Sequence, residues 1–382
     1  MTRQVERKTG DGDHTLIDRI SNLPMEVIDK ILVRMPIPDA IRTGILSRKW
    51  RYMWVTLSKL SFTDSLFWNH ISNKHIDKAS MIINQILFLH NGTISTFDLV
   101  IPSNYKGDVS LINHWILYLS KNGIKKLTIR SNKRERYEVP SHLFSCLDLK
   151  ELSLRNCVLR ASPEFNGFPN LTKLELARVK AERMVLESLI SSCQVLDSLD
   201  LITCSGFECL CISSRCLKRI TVGGNSQHSS PAYLINTEKA VFLHIWLNHK
   251  VTNFQGGEIS VSNFFNSLSK IRTLILNDKY LQGPSTNYLI SAEVSKCFEE
   301  EENIGDTYDH LRIMNIAKSY GLQPELEFIK YILSRSPLLE IVRFEHKIQL
   351  VIDYAQPFRI QGELLRFRRA SPKAQIIFSS VY

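Results

Sequence analysis

The stretch LKELSLRNCVL, residues 149–159, sets the pattern for most of this 382-residue chain. Its apolar residues Leu152 and Leu154 lie two positions apart, which is the spacing of one face of a β-strand. The same spacing recurs at intervals of 21 to 30 residues, with pairs that begin at Phe97, Leu127, Leu174, Leu199 and Ile220. A period of this length holds one short strand and a return segment, and no single unit can bury its own apolar side. The sequence therefore predicts an array of stacked units.

Two fuller copies follow the first unit, LTKLELARVKA (171–181) and LDSLDLITCSG (196–206). Together they resemble the leucine-rich repeat, L-x-x-L-x-L-x-x-N/C-x-L, and the resemblance implies an α-β solenoid with a curved sheet. Asn156 occupies the asparagine position of the first unit, whereas Arg178 replaces it in the next. Helical spacing in the return segments 112–119 and 184–190 predicts helices there. The pattern weakens after residue 223, so the repeats are irregular.

A compact apolar segment precedes the array: DRISNLPMEVIDKILVRMPIPDAIRTGILSRKWRYMWVTL (18–57). Apolar residues recur at helical spacing over Ile28–Met35, after a proline, Pro24, that suits the first position of a helix. A second helix is expected over Pro38–Leu46, and a third after Ser47, a good N-cap. About 40 residues bury too little surface to be stable alone, so a partner or the rest of the chain should complete the burial.

The same segment resembles an F-box, of the kind that opens plant F-box/leucine-rich-repeat/FBD proteins. Met25 and Gly44 depart from that pattern. The positions that match it are Leu23-Pro24, Ile28, Ile31-Leu32, Met35-Pro36, Asp39-Ala40, Thr43, Leu46-Ser47-Arg48, Trp50-Arg51 and Trp54. The resemblance implies docking to a Skp-family adaptor and, through it, to a cullin-RING ubiquitin ligase. The adaptor-binding residues that it implies are Leu23, Pro24, Ile28, Ile31, Leu32, Pro36, Leu46, Ser47, Trp50 and Trp54.

The residues that alternate with the apolar pairs point to the opposite side of each strand. We expect this side to bind a protein target. The alternative is that these residues are merely solvated and that the target binds elsewhere, for instance at the C-terminal region. The candidate target-binding residues are Lys126, Arg130, Glu151, Arg155, Lys173, Glu175, Asp200 and Arg219.

Regular spacing of apolar residues returns near the C-terminus, in PELEFIKYILSRSPLLE (324–340) and ELLRFRRASPKAQIIF (363–378). Helical spacing up to Pro337 and a strand pattern from Leu339 predict a strand–helix–strand unit. These phrases resemble the FBD domain, which follows the repeats in the same plant family. The predicted fold is thus an α+β chain: a three-helix F-box, a curved leucine-rich-repeat array, and an FBD unit that closes it.

The predicted domain organisation follows from these patterns. Within the repeats, a flexible insertion over 282–306 carries the acidic run Glu299–Glu302. The expected units are a mobile N-terminal tail (1–17), the F-box (18–60), a connector with the first helix of the array (61–95), the repeats (96–305) and the FBD domain (307–382).

Composition and charge bear on whether this chain is disordered, binds nucleic acid, spans a membrane or is secreted. The chain is 44% hydrophobic, which excludes wholesale disorder, and its net charge is +10. The basic runs within 121–136 and 359–373 lack the interleaved aromatic residues that stack on bases, so a solvated surface or an acidic partner is favoured over nucleic acid. No apolar run approaches the ~18 residues that span a bilayer. The first 14 residues lack the apolar region of a signal peptide, so a cytoplasmic or nuclear location is expected.

The residues that could bind a metal or take part in catalysis form no recognisable sequence motif. The eight cysteines are expected to be thiols. Cys204, Cys209, Cys211 and Cys216 lack the C-x2-C spacing of common zinc sites, which favours core packing over a metal. The sequence contains no H-E-x-x-H, no G-x-S-x-G and no P-loop. We therefore expect no catalytic residues, no cofactor and no metal.

Two functions of different class remain. The first is the substrate-recognition adaptor of an SCF-type ubiquitin ligase, in which the F-box docks a Skp-family adaptor while the repeats and the FBD domain hold the target. The alternative is a non-catalytic leucine-rich-repeat scaffold or a nucleic-acid-binding protein, in which the N-terminal helices only cap the solenoid.

Overall fold

The structure, a computed structural model, covers most of the predicted units. The predicted mobile tail (1–17) and acidic insertion (282–306) lie outside the part that it describes. No helix of the described part combines the length and the apolar character needed to cross a bilayer. The described residues are 20, 23–63, 78–105, 108, 110–160, 165–207, 209–224, 232–237, 239–247, 270–277, 307–347 and 356–381.

The N-terminal module contains helices α1 (Met25–Leu32) and α2 (Ile37–Arg42), followed by two 3-10 helices, Thr43–Ile45 and Trp50–Thr56. A helix is therefore present where the third helix was predicted, but it is a 3-10 helix. The prediction that Ser47 caps it is wrong, because the residue before the helix is Lys49 in a helical conformation. An N-cap needs an extended backbone, and this chain enters the turn already helical.

The predicted strands form a parallel sheet whose order follows the chain. Among the described residues the sheet has twelve strands. They are β1 (Lys59–Phe62), β2 (Thr96–Ile101), β3 (Lys126–Ser131), β5 (Glu151–Arg155), β7 (Lys173–Ala177), β9 (Ser198–Ile202), β11 (Arg219–Gly224), β13 (Phe242–Leu247), β14 (Thr273–Asn277), β15 (Ile313–Ser319), β16 (Ile341–Lys347) and β17 (Gln375–Val381).

Short strands that follow the main ones form two smaller parallel sheets. One contains β4 (Tyr137–Glu138), β6 (Cys157–Leu159) and β8 (Lys180–Ala181), and the other contains β10 (Cys209–Ser214) and β12 (Ala232–Thr237). The return segments include α3 (Lys78–Leu89), α4 (Leu111–Ser120) and α5 (Arg183–Ser192), and the C-terminal region adds α6 (Gln323–Arg335) and α7 (Gln356–Arg366). A 3-10 turn, Ser141–Ser145, replaces a helix in one unit.

A single register relates the repeats. Leu127, Leu152, Leu174, Leu199 and Ile220 stand opposite one another across neighbouring strands, and all of them are buried. This row confirms the strands that the two-residue spacing predicts. The sheet starts earlier than the sequence indicated, because β1 pairs with β2 and buries Leu60 and Phe62.

The residue after several strands has a positive φ, at Asn156, Arg178 and Thr203. Asn156 is buried, and its Nδ2 donates to the carbonyl oxygens of Lys133 at 2.8 Å and Glu135 at 3.3 Å. The amide therefore satisfies backbone carbonyls of the preceding unit where the chain turns out of the strand. Asparagine tolerates a left-handed backbone better than most residues, which explains its place in the repeat.

Candidate functional surfaces

The structure divides the ten predicted adaptor-binding residues by exposure. Ile28, Leu32, Trp50 and Trp54 are at most 8% exposed. Leu23, Pro36 and Ser47 are half-buried, and Pro24, Ile31 and Leu46 are exposed. The four buried side chains hold the helices of the module together, so only the exposed and half-buried members can contact a partner without rearrangement.

Hydrogen bonds from the side chains of Trp50 and Lys49 hold the segment that precedes α1. The indole Nε1 of Trp50 donates to the carbonyl oxygen of Ile20 at 3.2 Å, and Lys49 Nζ donates to that of Leu23 at 2.6 Å. Both contacts join the segment before α1 to the start of the last 3-10 helix. They hold the first turn of α1, which carries Met25 and Val27, against the rest of the module.

Five exposed apolar residues of the described part of the module were not predicted: Ile20, Met25, Val27, Ile45 and Tyr52. Ile45 is 89% exposed and Tyr52 is 67% exposed. A signal was present in α1, since Val27 and Ile31 are spaced as i and i+4, beside the buried pair Ile28 and Leu32. A helix with two apolar stripes has more apolar surface than one core can cover. Exposed apolar residues concentrated in so small a module indicate an interaction surface.

The predicted target-binding residues lie on one side of the twelve-stranded sheet, which we call the open face. It is defined by Lys126, Glu151, Lys173 and Arg219, which stand in one row at the start of β3, β5, β7 and, across Ser198, β11. All four side chains are half-buried or exposed. The register therefore collects residues that are far apart in the sequence into a continuous surface.

Two ion pairs lie in the N-terminal half of the open face. Lys126 Nζ lies 2.7 Å from Glu151 Oε2, and Arg130 lies 3.5 Å from Glu175 Oε1. The hydrogen bond to Glu151 raises the pKa of Lys126. Exposed pairs of this kind contribute only about 0–1 kcal/mol each, so a partner can replace them. Among the described residues, no ion pair forms at Arg155, Lys173, Asp200 or Arg219, although Glu151 stands opposite Lys173 across the sheet.

The C-terminal half of the open face contains a groove with a volume of about 680 Å³. The first residues of β11, β13, β14 and β15 line it in one row: Arg219, Phe242, Thr273 and Ile313. Residues that directly precede strands complete it: Asp197, Lys218, Val241, Arg272, Arg312 and Glu340. Of these ten residues, only Arg219 is among the predicted target-binding residues, because the groove depends on the register of β13 to β16.

The buried thiols are held in their neutral form. Burial raises the pKa of Cys146, Cys157 and Cys204 to about 12, so these residues act as small apolar side chains. No group of three or more metal-ligating side chains occurs in the described residues. The surfaces of the described part of the chain include an apolar patch at the N-terminal module and a charged face along the sheet.

Comparison with known proteins agrees with this arrangement. The F-box domain profile matches residues 20–62, and the profile for the LRR repeats of FBD-associated F-box protein At5g56370 matches residues 112–259.

Curated proteins from Arabidopsis thaliana are similar to this chain over longer stretches than the two profiles. F-box/LRR-repeat protein 13 is 29% identical over 62% of this chain and 53% of its own length. F-box/FBD/LRR-repeat protein At1g78750 is 32% identical over 54% of this chain and 46% of its own length. F-box/FBD/LRR-repeat protein At1g13570 is 31% identical over 94% of this chain and 98% of its own length. The chain therefore belongs to the F-box/FBD/LRR-repeat proteins.

Proposed function

We propose that this chain is the substrate-recognition subunit of an SCF-type cullin-RING ubiquitin ligase. Its F-box docks a Skp-family adaptor, and its repeats and FBD domain bind the target for ubiquitination. One observation carries the proposal: the segment matched by the F-box profile is a small helical module with large apolar side chains left exposed.

The docking surface that we propose consists of the exposed apolar residues of the module. Met25, Val27 and Ile31 project from α1, and Ile45 and Leu46 lie at the end of the first 3-10 helix. Burial of a large apolar side chain contributes about 1.5–3 kcal/mol, so several such contacts together can offset the entropy that is lost on association. The buried residues Ile28, Leu32, Trp50 and Trp54 contribute indirectly, by fixing the shape that the adaptor meets.

The remaining units serve target recognition in this proposal. We take the parallel sheet of 96–305 as a curved solenoid and the region 307–382 as the FBD domain that closes it, with the F-box at 18–60. The chain supplies no bond-making group. It raises the rate of ubiquitin transfer by holding target lysines near a ubiquitin-carrying enzyme, which is an effect of proximity and orientation.

Co-expression with a Skp-family adaptor tests the docking half of the proposal. The wild-type chain should co-purify with the adaptor, and the variant Ile31→Asp/Leu46→Asp should not, because two buried carboxylates would lose their hydration. Leu147→Asp/Met184→Asp is the matched control, since both residues are exposed apolar side chains outside the module. If the wild type fails to co-purify, or if both variants lose the adaptor equally, the proposal is wrong.

A further inference from the structure

We propose that the groove in the C-terminal half of the open face binds an extended acidic segment of a protein partner, with one apolar side chain seated at its centre. The inference deepens the proposed function and rests on it in one respect, since the partner would be the target held for ubiquitination. The groove itself is defined by the residues that line it.

The wall of the groove is a rigid backbone ladder. The residues before the strands are linked by hydrogen bonds from Lys218 N to Asp197 O (2.9 Å), from Val241 N to Lys218 O (3.0 Å) and from Arg272 N to Val241 O (2.9 Å). The ladder continues through Arg312 to Glu340. Neighbouring strands lie about 4.8 Å apart, so these six residues span about 24 Å, the length of roughly seven extended residues. The backbone positions from which these side chains project are therefore fixed before any partner arrives.

The charges along this ladder favour carboxylates in the middle. Lys218 lies 3.9 Å from Asp197, and Arg312 forms an ion pair with Glu340, so the cations at the two ends are partly neutralised. Arg272, within the ladder, and Arg219, beside it, are exposed and have no acidic partner among the described residues. An unpaired guanidinium presents a fork of donors that matches a carboxylate. Two of them in one groove can bind a segment with at least two acidic residues.

Apolar side chains lie beside these cations: those at β13 separate Arg219 from Arg272, and that of β15 lies beyond Arg272. Phe242 and Ile313 are half-buried at the start of β13 and β15, and Val241 is exposed beside them. The same row of the sheet in β5 and β7 carries Glu151 and Lys173 instead. The apolar side chains therefore distinguish the groove from the N-terminal half of the open face, where the same row carries charged residues. One aliphatic or aromatic side chain of the partner can bury itself here.

The same geometry disfavours nucleic acid. Asp197 and Glu340 stand at the two ends of the ladder, where a continuous phosphate backbone would meet negative charge. Among the lining residues, the aromatic one is Phe242, and it is half-buried rather than presented as a stacking platform. A short acidic peptide avoids both obstacles.

Selection from a random dodecapeptide library displayed on phage, with the full-length chain immobilised, tests the inference. The enriched peptides should carry two or more Asp or Glu residues around one aliphatic or aromatic residue. A synthetic peptide of the enriched sequence should bind at least tenfold more weakly to Arg219→Glu/Arg272→Glu, as measured by fluorescence anisotropy. It should also bind more weakly to Phe242→Ser, and its affinity should fall as salt is raised.

Lys121→Glu/Lys125→Glu is the matched control, since it makes the same change of charge at two exposed residues outside the groove. It should bind the peptide as the wild type does. The inference is overturned if no peptide is enriched, if the enriched peptides are basic or neutral, or if the groove variant and the control lose affinity equally. Enrichment only on a chain with Glu299–Glu302 changed to Gln would also overturn it, because the occupant would then be the chain's own acidic run.

The adaptor assay separates this inference from the proposed function. Arg219→Glu/Arg272→Glu should retain the Skp-family adaptor, because the changes lie far along the sequence from the F-box. Loss of peptide binding with a retained adaptor is the expected result. A wild-type chain that binds the peptide but not the adaptor would reject the ligase function and leave the groove assignment standing.

Discussion

His346 couples the stability of the C-terminal strands to pH. Its ring is buried and stacked on Phe378, and Nδ1 has no hydrogen-bond partner in the described part of the chain. Burial lowers the pKa of His346 below its usual value of about 6.5. As the pH falls through 6.5 towards that lower folded-state pKa, the unfolded chain takes up the proton first. Stability is therefore present above 6.5 and is lost on acidification.

We expect the melting temperature of the wild type to fall more between pH 7.5 and pH 5.5 than that of His346→Leu, which has no proton to bind at this site. Differential scanning calorimetry at both pH values measures the difference. His114→Leu, a change at an exposed histidine, should follow the wild type. Parallel curves for the wild type and His346→Leu would contradict the assignment.

Two glycines in different elements have opposite backbone requirements. Gly206, which follows the bridge between Lys180 and Ser205, has φ +103°, and an added Cβ would lie 2.4 Å from the carbonyl oxygen of Ala181. Gly206→Ala should therefore lower the free energy of unfolding by more than about 1 kcal/mol.

Gly362 lies within α7, where no heavy atom would meet the added methyl within 4 Å. Gly362→Ala should instead raise that free energy by up to about 1 kcal/mol. Urea denaturation measures both changes, and equal effects would refute the argument.

The helices and strands were predictable where the apolar spacing that defines them lies within a short run of consecutive residues. Six strands of the main sheet, β2, β3, β5, β7, β9 and β11, were predicted because each carries an apolar pair two residues apart and the pairs recur. β1 was missed because Leu60 and Phe62 form an isolated pair directly after the helical module. The 3-10 winding of Trp50–Thr56 was also missed, since 3-10 and α-helices place apolar residues at nearly the same spacing.

The candidate surfaces were less predictable than the fold, because exposure and register are non-local. Trp50 and Trp54 match the F-box pattern and are buried, whereas Ile45 is not among the matching positions and is the most exposed large apolar residue in the described part of the module. Lys126 and Glu151 were predicted as target-binding residues, but only the register shows that they pair with each other. The groove around Arg272 depends on strands that lie 20 to 40 residues apart in a stretch where the repeat pattern is weak.

At the scale of the whole molecule, the F-box and the array share one apolar core. The core cluster runs from Ile28 and Leu32 in α1, through Leu60 in β1, to the C-terminal strands. Polar contacts cross the same boundary: Asn91 N donates to Val55 O at 2.8 Å, and His90 Nε2 lies 2.9 Å from Leu57 O. The last helix of the F-box is thus tied to the chain that leaves α3.

Because the sheet completes the core of the F-box, we expect a fragment of residues 18–63 to lack a stable fold. Removal of β2 and α3 exposes Leu60 and Phe62, and a module of about 40 residues buries too little other surface to offset the entropy of ordering. The fragment should show weak helical circular dichroism, no cooperative thermal transition and rapid hydrogen exchange at the indole of Trp50. The full chain should protect that indole, since it is buried and bonded to Ile20. A cooperative transition in the fragment alone would show that the F-box folds independently and that β1 merely joins it to the sheet.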